Sequence, residues 1–171
     1  MHGGIEYKTS VLFVCLGNIC RSPMAEGAFR VAAQARGLAV LVDSAGTASY
    51  HVGSPPDPRA ITVAAQNGVD ISGQSARQVE RDDFYRFTHI IALDRANLEG
   101  VRARAPRDAT ASLAMLMDAV EGHQGEPISD PYYSDAAVFE ETWRTIALAV
   151  AAFNRIADER RLHLEQVVGI F

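Results

Sequence analysis

Apolar residues fall along this chain in two kinds of run. Val11-Leu-Phe-Val14 is unbroken and β-rich, and it ends at Cys15 before a glycine-bearing turn. A strand without polar alternation suits the middle of a parallel sheet, covered on both faces. Val40-Leu-Val42 and Ile90-Ile-Ala-Leu93 read as a second and a third strand, and Leu113–Met117 as either a fourth strand or a short helix. The other kind of run is helical. Phe139, Trp143, Ile146, Val150, Phe153 and Ala157 step by fours and threes, making one apolar stripe on a long last helix. Ser22-Pro23 reads as N-cap and first residue of a helix that stops near Arg36-Gly37. Asp57-Pro58 starts another, running to about Asn67-Gly68, and a further helix begins near Arg95. Thr47–Pro58 and Glu121–Tyr133 read as loops.

Strands alternating with helices predict an α/β fold, a doubly wound parallel sheet with right-handed crossovers. Such sheets bind ligands beyond the carboxyl ends of their strands, where the strand order reverses. The loop after Cys15 is therefore the first place to look. At 171 residues the chain suits a single domain, residues 10–171, behind a polar tail, residues 1–9.

Composition narrows the partners. Sixteen Lys and Arg against 21 Asp and Glu leave a net charge of −5, which argues against non-specific nucleic-acid binding. The longest apolar run, Ile146–Phe153, is far too short for membrane insertion. Two cysteines make no disulfide framework, and a reducing cytoplasmic setting is expected. The five histidines are scattered, none at metal-ligand spacing, so no metal or other cofactor is expected.

The loop itself reads Cys15-Leu16-Gly17-Asn18-Ile19-Cys20-Arg21-Ser22. Between a buried strand and a helix N-terminus, successive backbone N–H groups can converge on one anion of about phosphate size. Gly17 and Asn18 tolerate the backbone turns this needs. No lysine is present, so this is not a nucleotide-binding loop. Instead it offers a thiol, whose thiolate form these donors and Arg21 favour, and a guanidinium that can grip two phosphate oxygens. The chemistry suggested is attack by sulfur on phosphorus. Spacing alone leaves another reading open: Cys15 as a small buried hydrophobe and Arg21 as a surface charge.

Residues Val11 to Pro23 closely resemble the signature of the low-molecular-weight protein tyrosine phosphatases. The resemblance continues through Val42-Asp-Ser-Ala-Gly46, Asp57-Pro-Arg-Ala60, Ala76-Arg-Gln78, Asp83-Phe84, Leu93-Asp94 with Asn97-Leu98, and Asp130-Pro-Tyr-Tyr133. It implies a flavodoxin-like, four-stranded parallel sheet flanked by helices. It implies Cys15 as nucleophile through a phosphocysteine intermediate, with Arg21 and the loop, Leu16 to Cys20, holding the phosphate. Ser22 would hydrogen-bond the thiolate, and Asn18 with Ser44 would fix the loop. Asp130 would be the general acid and then the base that activates water. Tyr50, Tyr132 and Tyr133, with Leu16 and Ile19, would wall the pocket for phosphotyrosine in protein substrates, and for small aryl phosphates. Phosphate and other oxyanions would inhibit. Asp94 is similar to a family aspartate that supports Arg21 or the sheet end.

Regulation is implied at two places. Cys20 reads either as a small residue packing the loop or as a resolving thiol in a reversible Cys15–Cys20 disulfide. Recovery of oxidised protein by dithiothreitol should then be weaker in Cys20→Ala, and equal recovery would exclude it. Tyr132 and Tyr133 are similar to the family's own phosphorylation sites. His51, next to Tyr50, reads first as solvent-facing loop and second as a residue that touches substrate. The chain departs from the family at Gln74, nearest to a histidine that in relatives bonds the loop; an amide makes part of that contact without charge. Beyond Asp158, Arg160, Arg161 and Leu162 suggest further helix. Three competing functions differ in what they require. A thiol-dependent arsenate reductase needs further cysteines, and none follows Cys20. A non-catalytic phosphotyrosine-binding module would lack nucleophile, arginine or acid, and all three are present. A general phosphatase of small aryl phosphates shares the same chemistry.

Overall fold

The computed structural model describes the backbone of residues 9–168 and the side chains of residues 9–157. Apart from Thr9, the expected tail lies outside the described residues, and Thr9 itself opens the first strand. Strands β1 (Thr9–Cys15), β2 (Val40–Gly46), β3 (His89–Ala92) and β4 (Ser112–Met115) form one parallel sheet in the order β2-β1-β3-β4.

Strand β1 is central, and its side chains alternate between two cores. Val11 and Phe13 pack beneath α1 (Arg21–Ala35), α2 (Pro58–Gln66) and α5 (Ala136–Val168). Leu12 and Val14 join Phe84 of α3 (Asp83–Arg86) and Val101 of α4 (Arg95–Arg104) on the other face. That is why the strand carries no polar residue between Val11 and Val14: water reaches neither side. The stripe on α5 is buried from Phe139 through Phe153, with Ala157 half-buried. Phe29 of α1 stands between Phe13 and Phe153, at ring distances of 5.7 and 5.9 Å. Burying each such side chain contributes about 1.5–3 kcal/mol, enough to dock both helices on the sheet.

Several boundaries differ from the sequence expectation. Helix α1 begins at Arg21, not after a Ser22 cap; Cys20 occupies the cap position and caps with no side chain. Ser22 is unavailable because its hydroxyl faces Cys15 and Asn18. Strand β2 runs on past Val42 to Gly46, paired with β1 throughout, because polar Asp43 and Ser44 find side-chain partners in Arg77 and Asn18. Leu113–Met117 is both things at once: β4 ends at Met115 and a 3-10 turn covers Leu116–Ala119. Asp57 caps α2 through a bond from Arg59 N, and α5 continues to Val168. The four-residue α3 is too short to leave a periodic signal.

Because β1 is followed in sequence by β2 on one side and flanked by β3 on the other, the strand order reverses at β1. The crevice beyond the carboxyl ends of β1 and β3 is the binding position such sheets provide.

Candidate active site

The loop leaving β1 fills that crevice. Its backbone is tied to the end of β2 by bonds from Thr47 N to Cys15 O and from Ala48 N to Leu16 O, both 3.0 Å. Gly46 permits this approach: a Cβ there would stand 2.7 Å from the Leu16 carbonyl oxygen. Asn18 is the one non-glycine among the described residues with positive φ, at 57°. The left-handed conformation costs a side-chain-bearing residue about 1–2 kcal/mol, and the surroundings hold it there. Asn18 Nδ2 donates to Ser22 Oγ at 2.8 Å and to Ser44 Oγ at 2.9 Å, while its Oδ1 accepts from Arg77 N at 3.0 Å.

This network orients hydrogens around Cys15, which is buried. Ser22 Oγ lies 3.0 Å from Cys15 Sγ. Ser22 accepts from Asn18, and its one proton has two acceptors in reach, the Cys15 sulfur and, at 3.5 Å, the Ala45 carbonyl. Asn18 N also donates to Cys15 Sγ, at 3.3 Å. Helix α1 opens without a side-chain cap and with no acidic residue in its first turn. Its first N–H groups are thereby left for an anion.

Arg21 is 2% exposed, a burial that a guanidinium tolerates only with partners. Nη1 donates to Asp94 Oδ2 at 2.7 Å and to the Ile128 carbonyl at 2.8 Å. Asp94 comes from the end of β3 and also caps α4, accepting from Asn97 N. The reversal of strand order thus brings an arginine after β1 against an aspartate after β3. Asp130 approaches from the other side, its Oδ2 3.6 Å from Arg21 Nη2, with a carboxyl that is 42% exposed.

Around these groups lies a cavity of about 150 Å³, lined by the loop from Cys15 to Arg21 and by Tyr50, His51, Asp130, Tyr132 and Tyr133. Tyr132 is half-buried, whereas Tyr50 and Tyr133 stand exposed at the rim. Tyr132 and Tyr133 meet edge to face, centroids 4.9 Å apart. His51 departs from the first of its two sequence expectations. It is half-buried, belongs to the cavity wall and lies 6.2 Å from the Tyr132 ring. Both cysteines are free and buried. Burial, with the Asp57 carboxylate nearby, pushes the Cys20 thiol well above the ordinary cysteine range, so Cys20 is a protonated thiol at neutral pH.

Two supports escaped sequence reading. Glu26, buried on α1, accepts from Ser44 Oγ at 2.9 Å and pairs with Arg30 at 3.0 Å. Burial raises its carboxyl above the usual range. Arg77 holds Asp83 through two bonds of 3.0 Å and Asp43 through one of 3.1 Å, which steadies the backbone that binds Asn18. Gln74 does not bond the phosphate-sized loop. Its Nε2 donates to Pro23 O at 3.1 Å, and its Oε1 is buried without a partner among the described residues. No cluster among the described residues has the three or more metal-binding side chains that would hold a metal ion. No helix among them is long and apolar enough to cross a membrane.

A thiol, a buried arginine and a carboxyl around an anion-sized cavity are the parts of cysteine-based phosphoryl transfer. Residues 10–163 match the family model of the low molecular weight phosphotyrosine protein phosphatases. The low molecular weight protein-tyrosine-phosphatase YfkJ of Bacillus subtilis is 42% identical over 139 residues, covering 80% of this chain and 88% of that protein. A crystal structure of YfkJ matches with a TM-score of 0.84, covering 92% of this chain and 99% of that one. Low molecular weight phosphotyrosine protein phosphatase 2 of Drosophila melanogaster is 40% identical over 163 residues, 94% of this chain and 99% of that protein. A Drosophila arginine phosphatase is 32% identical, with a TM-score of 0.81 over 86% of this chain and 96% of that one. This chain belongs to the low molecular weight phosphotyrosine protein phosphatase family.

Proposed function

We propose that this protein hydrolyses phosphotyrosine in proteins, and small aryl phosphates, through a phosphocysteine on Cys15. The observation that carries the reading is the convergence of Cys15, Arg21 and Asp130 on one cavity. Cys15 sulfur attacks phosphorus in line with the departing phenol oxygen. The P–O bond breaks as Asp130 gives that oxygen its proton, sparing the expulsion of a phenolate. Arg21 Nε and Nη2, which carry no hydrogen bond among the described residues, and the loop N–H groups hold the three equatorial oxygens. Asp130, now a carboxylate, takes a proton from water, whose oxygen displaces sulfur. The proton of Ser22 eases departure of the thiolate.

A phosphoarginine substrate is the second reading, raised by the arginine phosphatase among the similar structures. Leu16, Ile19 and the three tyrosines favour the aryl ester. They offer ring and methyl contact that a flat aryl leaving group fills more fully than an alkyl chain. In this reading inorganic phosphate competes for the loop, and the setting is a reducing cytoplasm in which both cysteines stay thiols. Under peroxide, Cys15 is oxidised to the sulfenic acid, and Cys20, once local opening of the loop lets it lose its proton, attacks that sulfur with loss of water.

Hydrolysis of p-nitrophenyl phosphate and of phosphotyrosine and phosphoarginine peptides, with chelator and reductant present, tests the assignment. Turnover of the tyrosine peptide is expected to exceed that of the arginine peptide. It should vanish in Cys15→Ser and fall about 10²-fold or more in Asp130→Ala. Preference for phosphoarginine would move the assignment to the second reading. Absence of all turnover in folded protein would leave a phosphate-binding module.

A further inference from the structure

The loop that carries Asp130 has little of its own to hold it. From Ile128 to Asp135 it has no helix or strand. At its start Ile128 N donates to Leu93 O at 2.9 Å and Ile128 O accepts from Arg21 Nη1 at 2.8 Å. Beyond that its bonds are internal, from Ser134 N to Pro131 O at 2.9 Å and from Tyr132 N to the Asp130 carboxyl at 3.1 Å, and Arg21 Nη2 stands 3.6 Å from Asp130 Oδ2. An exposed carboxyl on such a segment needs an outside reference if it is to meet a leaving oxygen.

Arg59 supplies one. Its Nη1 donates to Ser134 O at 2.8 Å and its Nη2 to Tyr132 O at 2.9 Å. The other edge of the same fork grips Asp57, with Nε to Oδ1 at 3.0 Å and Nη2 to Oδ2 at 2.8 Å. The guanidinium lies 4.5 Å from the Phe139 ring centroid and 5.8 Å from that of Tyr132. Asp57 is in turn fastened to the phosphate loop, its N donating to Ile19 O at 2.7 Å. A continuous path thus joins the loop of the nucleophile to the loop of the acid: Ile19, Asp57, Arg59, then the carbonyls of Tyr132 and Ser134.

We propose that Arg59 is a positioning residue which, braced on Asp57, sets the spacing between the two loops and so places the Asp130 carboxyl over the leaving-group oxygen. The inference rests on Asp130 being the general acid. A planar fork is required, because both carbonyls and both carboxylate oxygens are engaged from one rigid group; a lysine ammonium cannot span them. A misplacement of about 1 Å is enough to cost a general acid much of its effect.

The test reads kcat/KM over aryl phosphates from p-nitrophenyl to phenyl, for wild type, Arg59→Met, Arg59→Lys and Asp130→Ala, with inhibition by inorganic phosphate measured beside it. A phenol leaving group, with pKa of about 10, needs the proton, and the far more acidic p-nitrophenol needs it little. Both Arg59 variants should lose about tenfold on phenyl phosphate and less than about threefold on p-nitrophenyl phosphate, with phosphate inhibition unchanged. Asp130→Ala should show the same pattern more strongly. Arg59→Lys keeps a cation beside Asp57 and carries the test if Arg59→Met does not fold. Equal losses on all substrates, or no loss, overturn the inference. If Asp130→Ala steepens the leaving-group dependence while the Arg59 variants do not, the acid stands and the positioning role falls. If Asp130→Ala does not steepen it, both fall together.

Discussion

The two loops that meet at the cavity are built on opposite plans. The loop from Cys15 to Ser22, exposed only at Leu16 and half-buried at Gly17 and Ile19, is held by a closed network: Asn18 satisfies two hydroxyls and one backbone amide, and Ser44 passes the chain to Glu26. The loop around Asp130 is open to water, with Asp130 and Tyr133 exposed and its carbonyls held from outside by Arg59. The difference follows from what each must do. A cradle for an oxyanion works by having its dipoles already aimed, so any freedom costs rate. An acid that becomes a base must exchange its proton with water between the two steps, so it cannot be sealed in. Rigidity is placed where charge is held, and access where protons move.

Breaking the closed network should have the larger effect. Asn18→Ala removes three hydrogen bonds and leaves a residue with a Cβ at positive φ. The expected loss is about 10²-fold in kcat/KM on every aryl phosphate, whatever its leaving group, and about 2–3 kcal/mol in stability by urea unfolding. That uniformity separates it from the leaving-group-dependent losses expected at Arg59. A variant that spared p-nitrophenyl phosphate would show that Asn18 acts on the acid side instead.

A smaller effect sharpens the open side. Hydrogen bonds from Arg59 hold the Asp57 carboxyl below the usual carboxylate range. Such a group contributes stability above its unfolded pKa, and that contribution is lost as pH falls through its lowered folded one. The gap in urea midpoint between wild type and Arg59→Met should therefore be wider near pH 6 than near pH 3, read by unfolding at both. A constant gap would mean that the Asp57–Arg59 pair carries no linked proton.

Much of the closed loop was legible, because its chemistry is contiguous: the apolar run of β1, then Cys15 to Ser22, then a helix. The α5 stripe was legible for the same reason, since its period is local. The supports were not, because the fold assembles them from distant segments. Arg59 meets carbonyls more than 70 residues away. Glu26 reads as an ordinary helix glutamate until Ser44 is brought to it, and polar Asp43 and Ser44 end the apolar run by which the second strand was bounded at Val42. His51 was placed first toward solvent, and its place in the wall second, because exposure in a glycine- and proline-rich segment is decided by what that segment lies against, here the Tyr132 ring.

The central claim is that phosphate passes through Cys15. Asp130→Ala, slowed in the step that hydrolyses the intermediate, should accumulate it. Rapid denaturing quench of that variant with p-nitrophenyl phosphate, whose leaving group spares the first step the acid, followed by peptide mass spectrometry, should find one phosphate on the peptide containing Cys15, absent in Cys15→Ser. Continued release of phosphate without any such adduct, or an adduct on another residue, would contradict the account.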